Sequence, residues 1–208
     1  NLRTPLVEVS YTGQSTFLMT YFSVSASKVQ HLTLGGKVTK VGLFAFYKAP
    51  GLESVTMESS VKSISEQAFA MYNIGNLQSV MIPDSVTSIG YAAFFQCHKL
   101  KSLVLPDSLT TLSTNTDGAT RLYEGCTSLT SVVIGDGLTT LPAGTFKDCT
   151  SLQNVTIGSA VTTIDAAAFS GCGAITALNL RTPLVEVSYT GQSTFLMTYF
   201  SASASKVQ

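Results

Sequence analysis

The sequence predicts an α/β repeat solenoid of about seven to eight coils of a 23-residue type, whose strands stack in parallel from coil to coil. Three observations predict it. An apolar residue opens a recurring block at Val29, Leu52, Leu77, Leu100, Leu129, Leu152, Ile175 and Val207, at steps of 23, 25, 23, 29, 23, 23 and 32 residues. Each opening but the last is followed by a short run of alternating apolar and polar residues and then by a second apolar pair. Late in four blocks an aromatic residue, Phe94, Tyr123, Phe146 or Phe169, stands three residues before a Cys.

The first run places Leu32/Leu34, Val55/Met57, Val80/Ile82, Leu103/Leu105, Val132/Ile134, Val155/Ile157 and Leu178/Leu180 two residues apart. This period marks a half-buried strand, and its recurrence at a fixed interval marks parallel strands about 4.8 Å apart. A second run carries apolar pairs three residues apart, such as Val61/Ile64, Val86/Ile89, Leu138/Leu141 and Val161/Ile164, and recurs at the same interval. Turn residues separate the two, as in Pro83-Asp84-Ser85, Pro106-Asp107-Ser108 and Gly135-Asp136-Gly137. The late part reads Ala-Phe-x-x-Cys, and its helix-tolerant residues predict a short helix or 3₁₀ turn on the outer side. Phe46, Phe69, Phe94, Tyr123, Phe146 and Phe169 share one coil position and predict a core ladder. Cys97, Cys126, Cys149 and Cys172 share another. Neighbours in such a ladder lie within disulfide reach, but the in-register arrangement is poorly aligned for the ~90° torsion, which favours buried free thiols.

The stretch from Leu77 to Cys97, L-x-S-V-x-I-P-D-S-V-T-S-I-G-x-x-A-F-x-x-C, closely resembles the BspA-like class of leucine-rich repeats, and the pattern extends over essentially all 208 residues. The resemblance implies a leucine-rich-repeat solenoid in a secreted or surface-anchored protein of the kind implicated in adhesion.

Composition points the same way. Only 12% of residues are charged and the 12 basic and 12 acidic side chains cancel, so no field attracts nucleic acid or anionic lipid. Solubility rests instead on Ser, Thr, Asn and Gln, which favours an extracellular or cell-surface location. No apolar run approaches the ~18 residues of a membrane span.

Two coils depart from the pattern. The step from Leu100 to Leu129 carries extra residues around Ser113 to Gly118, and the step from Ile175 to Val207 carries more, in the segment from Tyr189 to Phe200. Insertions in solenoids map to loops on one face, often a binding face; drift would leave the same trace. Above the coil lies a second repeat. Residues 1–30 recur as 179–208 with the single change of Val24 to Ala202, an offset of 178 residues. We therefore expect one continuous solenoid over residues 1–208 whose ends fall mid-coil. Such a chain continues into neighbouring repeat units or stacks head to tail on identical protomers to make a structural fibre.

No set of residues suits catalysis. His31 and His98 belong to different coils, no acidic pair, phosphate loop or Ser/His/Asp set is present, and no metal or cofactor is expected. Cys97 and His98 are adjacent, a spacing that rarely lets two side chains meet. The outward positions of the first strand, Thr33, Thr56, Met81, Val104, Val133 and Thr156, form the candidate binding face. There a host or matrix protein or a glycan would dock on the concave side, making the chain an adhesin or recognition module rather than a fibre. A second row runs through Thr39, Lys62, Thr87, Thr110, Thr139 and Thr162, with Lys40, Ser63, Ser88 and Thr111 beside it; such rows bind glycans, ice or a sister filament, or are simply β-compatible. Asn154-Val155-Thr156 is an N-glycosylation sequon.

Overall fold

The computed structural model describes residues 8–9, 29–36, 38–181 and 186–188. Each coil has three sides. The first is a stack of short parallel strands: β2 (His31–Leu34), β4 (Ser54–Met57), β6 (Ser79–Met81), β8 (Ser102–Leu105), β10 (Ser131–Ile134), β12 (Asn154–Ile157) and β14 (Ala177–Leu180). The second is made by β1 (Glu8–Val9), β3 (Lys40–Val41), β5 (Ser63–Ile64), β7 (Ser88–Ile89), β9 (Thr111–Leu112), β11 (Thr140–Leu141), β13 (Thr163–Asp165) and β15 (Glu186–Ser188). Six coils are complete among the described residues, and β14 and β15 enter a seventh. The Tyr189–Phe200 insertion, Val207 and most of the two thirty-residue copies lie outside the described residues.

Register follows the repeat. Val132 lies opposite Leu103 on one side and Val155 on the other, and Val155 opposite Leu178. Stacking in register puts each alternating apolar residue over its equivalent, and one continuous core runs from Leu32 to Ile175. The first-side ladder lapses between β6 and β8. Gly135 and Arg181, the residues after β10 and β14, donate their N–H to the carbonyl of the preceding coil, Leu105 and Ile157. Pro106 holds that place after β8 and has no N–H to donate, but Pro83 holds it after β6, where the pairing with β4 is kept. The second-side ladder lapses between β9 and β11, where the Ser113–Gly118 insertion leaves the coil.

The third side corrects the expectation of a helical turn. No residue there is helical; the Ala-Phe segments are successive turns. Phe46 N–H donates to Ala68 O in the next coil at 2.7 Å, and Lys48 N–H to Ala70 O at 2.8 Å, while Ala45 and Tyr47 between them bond back to Gly42 O and Phe44 O. Alternate N–H groups thus point along the stack instead of along a helix. The geometry requires left-handed residues about four apart: Phe44 and Lys48, Ala92 and Gln96, Arg121 and Gly125, Gly144 and Asp148. A single such residue interrupts a right-handed helix. The α half of the predicted class is absent from the described residues; the parallel solenoid stands.

Inside, the predicted aromatic ladder is complete. Phe46, Phe69, Phe94, Tyr123, Phe146 and Phe169 stack ring on ring with centroids 5.1 to 5.6 Å apart and planes within 11°. All are buried. Tyr123 brings a hydroxyl to a place built for Phe, and its Oη is buried with no hydrogen-bond partner; burial pushes its phenol well above the ordinary tyrosine range. Removing an unsatisfied buried hydroxyl relieves its desolvation, so Tyr123→Phe is expected to stabilise the chain by roughly 1 kcal/mol. Urea unfolding measures the change, and a loss of stability in this variant would show that the hydroxyl has a partner.

Candidate binding faces

The first-strand row is brought together as expected, in two runs. Thr33 lies opposite Thr56 and Thr56 opposite Met81; Val104 lies opposite Val133 and Val133 opposite Thr156. The runs meet at the lapse between β6 and β8, where Met81 and Val104 are 63% and 59% exposed. Large apolar side chains this exposed and adjacent in the stack are the unusual feature of the face; the four remaining residues are half-buried. Asn154 is exposed at the start of β12.

In the Thr row of the second side three of the hydroxyls bond along the stack. Thr87, Thr110 and Thr162 each donate to the carbonyl of their equivalent one coil back, Lys62, Thr87 and Thr139, at 3.3 to 3.4 Å. That row is chiefly structural. Next to it, across β3, β5, β7 and β9, runs an open groove of about 330 Å³. Ser63 and Ser88 line it from the sheet, Glu66 and Tyr91 from the corner that follows, and Ser113 and Thr114 from the start of the insertion after β9. The insertion is held in shape by its own bonds: Asn115 Oδ1 accepts from Asp117 N–H at 2.9 Å and Asp117 Oδ1 from Ala119 N–H at 2.8 Å. The latter bond is the main reason the Asp117 carboxyl titrates below its usual range. Arg121 closes the loop through Asp117 at 3.5 Å and Glu124 at 3.8 Å.

Beside the groove, on the third side, a second aromatic series lies outside the core. Phe44, Tyr47, Tyr72 and Phe95 meet edge to face or tilted, with centroids 5.0 to 5.4 Å apart, and the Lys48 ammonium stands 5.1 and 5.3 Å from the Tyr47 and Tyr72 rings. Reading the repeat names Lys40, Ser63 and Ser88 of the groove, but not Glu66, Tyr91 or the strip, because those residues hold positions that the consensus leaves free. The two surplus residues in the 25-residue step, which fall near Tyr72, were the available signal.

The histidines and cysteines play structural parts. His31 shares a hydrogen bond of 2.8 Å with Ser54 on the surface. His98 Nδ1 lies 3.1 Å from Gly125 O, whereas Cys97 Sγ donates to Phe69 O, so the two neighbours face different partners. Cys126, Cys149 and Cys172 likewise donate to Phe94 O, Tyr123 O and Phe146 O, each the ladder aromatic of the preceding coil. All four thiols are free and buried. Burial pushes the Cys126 thiol well up, and a hydrogen bond with Cys172 together with burial does the same to Cys149. Thiolate formation and reagent access thus both require opening. Alkylation of the native protein at pH 8 is expected to run at least about 10³-fold slower than in denaturant. Rapid modification of any one cysteine before unfolding would contradict the buried ladder. Among the described residues no three His, Cys, Asp or Glu side chains are grouped to hold a metal ion, and no helix is long and apolar enough to cross a membrane.

Comparison with known proteins fits this geometry. The model of the BspA type leucine rich repeat region matches in six copies over residues 16–117 and 118–203. None of the curated proteins compared matches the chain. Among solved structures, a leucine rich repeat protein of T. pallidum is 26% identical over 76% of this chain and 72% of its own, with a TM-score of 0.67. A leucine rich cell surface protein of Faecalibacterium prausnitzii is 25% identical over 77% and 52%, with a TM-score of 0.56. The pneumococcal vaccine antigen PcpA shares the fold at 19% identity and a TM-score of 0.62; this chain spans 42% of its length. With the family pattern covering nearly the whole sequence and the solenoid it implies seen coil by coil, the chain belongs to the BspA-type leucine-rich repeat family.

Proposed function

We propose that the chain is a non-catalytic, surface-displayed repeat scaffold that lengthens by continuation of the solenoid from one 178-residue unit to the next. The observation that carries this reading is the placing of one short strand at two points of the stack. Glu8–Val9 pairs with β3, Glu8 opposite Lys40, and the same sequence at Glu186–Val187 pairs with β13, Glu186 opposite Thr163. One copy is bonded along one edge and the other copy along the opposite edge. A strand that accepts a parallel neighbour on both edges is what a continuing stack requires. Surface display is supported by the relatives, one of which is described as a cell surface protein and another as a vaccine antigen.

The test is a chain in which residues 31–208 follow Gln208 a second time. In a nearest-neighbour solenoid each added interface contributes to stability, so the doubled chain is expected to unfold in one transition at higher urea than the single chain. An unchanged midpoint would mean that the units do not stack.

A second reading, recognition of a host or matrix protein, is favoured by Met81 and Val104. Their exposed side chains form an apolar centre rimmed by Thr56 and Val133, the arrangement of an interface anchor. Beads carrying the chain should capture protein from a matrix extract, and Met81→Ser with Val104→Ser should abolish capture; equal capture by the double variant would remove this reading.

A further inference from the structure

We infer that the groove and the aromatic strip beside it form one binding site for a neutral oligosaccharide. Sugars present hydroxyls that must both donate and accept, and apolar C–H faces that must be covered. The groove meets the first demand. Serine and threonine hydroxyls are donors and acceptors at once, and Ser63, Ser88, Ser113 and Thr114 set four of them along one channel. Its charged lining is one carboxylate, Glu66, and one ammonium, Lys40, opposite in sign. The strip adds the exposed Lys48 ammonium, and one net positive charge over the whole site is too little to select a phosphate-rich ligand. The volume of about 330 Å³ lies at the small end of ligand-site sizes.

The strip meets the second demand. Tyr72 is 37% exposed and Tyr47 and Phe95 half-buried, so ring surface is open to a ligand whose hydroxyls are held next door. Groove and strip are physically joined: Tyr72 Oη donates to Gln67 Oε1 at 3.2 Å, and Gln67 Nε2 donates to Glu66 Oε1 at 3.4 Å. Tyr91 ties in the far corner, lying near enough to Tyr72 and Arg121 to influence the titration of both.

The site is also shaped before any ligand arrives. Tyr72 and Asn73 adopt consecutive left-handed conformations, φ 45° and 69°, which lift the Tyr72 knuckle out of the coil. The wall at Ser113 and Thr114 adjoins a loop already closed by the bonds of Asn115 and Asp117. Preformed walls lower the ordering cost of binding. Gly90 lines the groove where two coils approach closely, since a Cβ there would overlap the Ser65 and Glu66 backbone. A proline-rich peptide would dock on the rings of the strip but would leave the hydroxyls of the channel without partners. The inference does not depend on whether the solenoid continues, because every residue invoked lies between Lys40 and Arg121.

The experiment is an NMR titration of the 208-residue chain with chitotetraose, cellotetraose and an N-acetyllactosamine tetrasaccharide, with a proline-rich decapeptide alongside. At least one sugar is expected to saturate the protein with a Kd below about 1 mM. Tyr72→Ala and Glu66→Gln should each weaken that sugar about tenfold. Ser88→Val, which fills the channel from the sheet without touching the strip, should do the same, and Gly173→Ala, on open surface in a distant coil, should leave it unchanged. Urea unfolding of each variant separates lost binding from lost fold. Failure of every sugar to saturate by about 5 mM, binding that survives both Tyr72→Ala and Ser88→Val, or preference for the peptide would overturn the assignment.

Discussion

Phe94→Ala is expected to cost about 3 to 5 kcal/mol. The ring is fully buried and lies flat between Phe69, 5.3 Å away at 7°, and Tyr123, 5.1 Å away at 9°. Truncation removes two stacked faces at once, and the walls cannot close the hole, because their own spacing is set by the hydrogen bonds of the turn side. Phe94 N–H donates to Leu122 O at 3.1 Å, a backbone bond in which the ring takes no part, so the coil stays in place around the cavity. The carbonyl of Phe94 also receives the Cys126 thiol, and any backbone relaxation that shrank the cavity would strain that bond. Urea denaturation of the variant measures the cost. A loss under about 1 kcal/mol would mean that the ladder is not a core.

Gly158→Ala is the second large effect, and it acts through spacing. Gly158 is buried at the corner that ends β12, and a Cβ there would overlap the carbonyl oxygen of Gly135, its equivalent one coil back. The neighbour is backbone and cannot turn aside as a flexible side chain would. The two coils must separate at that corner, against the pairing of β10 with β12. Overpacking of this kind costs about 1 to 3 kcal/mol, and the rigid partner places the expected value near the upper end. Gly173→Ala is the matched control, because a Cβ there meets nothing within 4 Å; it should stay within about 0.5 kcal/mol of the parent. Equal effects of the two substitutions would show that Gly158 matters only as a glycine.

These two sites mark how far the molecule was legible from its sequence. Phe94 and Leu103 could be assigned to the core because they recur at the same coil position, and repetition converts a weak pattern into a register. The free state of Cys97 and its partners followed from the same reasoning. The turn side was not legible. Phe44, Lys48, Ala92 and Gln96 adopt left-handed conformations although none is glycine, and the cost is met by bonds to the next coil, which a local reading of Ala-Phe-x-x-Cys does not see. The lapse between β6 and β8 has no mark in the sequence: a proline follows β8 at Pro106, but Pro83 follows β6 in the same way and β6 still pairs with β4. The groove was half legible: the insertion after Leu112 was noticed, but its partners Glu66 and Tyr91 belong to other coils and carry no consensus. Of the candidate binding face, Thr33, Thr56, Val133 and Thr156 are ordinary half-buried strand positions, and exposure singles out Met81 and Val104.

The central claim is that the two copies of the thirty-residue segment hold the same place in one continuing stack, and a distance measurement on the doubled chain tests it most directly. Spin labels go at Glu186 and at the second copy of Lys40, the residues that would repeat the pairing of Glu8 with Lys40. The account predicts strong dipolar broadening, matching a single chain labelled at Glu8 and Lys40, because the labelled strands would be neighbours about 4.8 Å apart. Unbroadened spectra from the doubled chain, with broadening retained in the single chain, would show that the stack ends at the unit boundary.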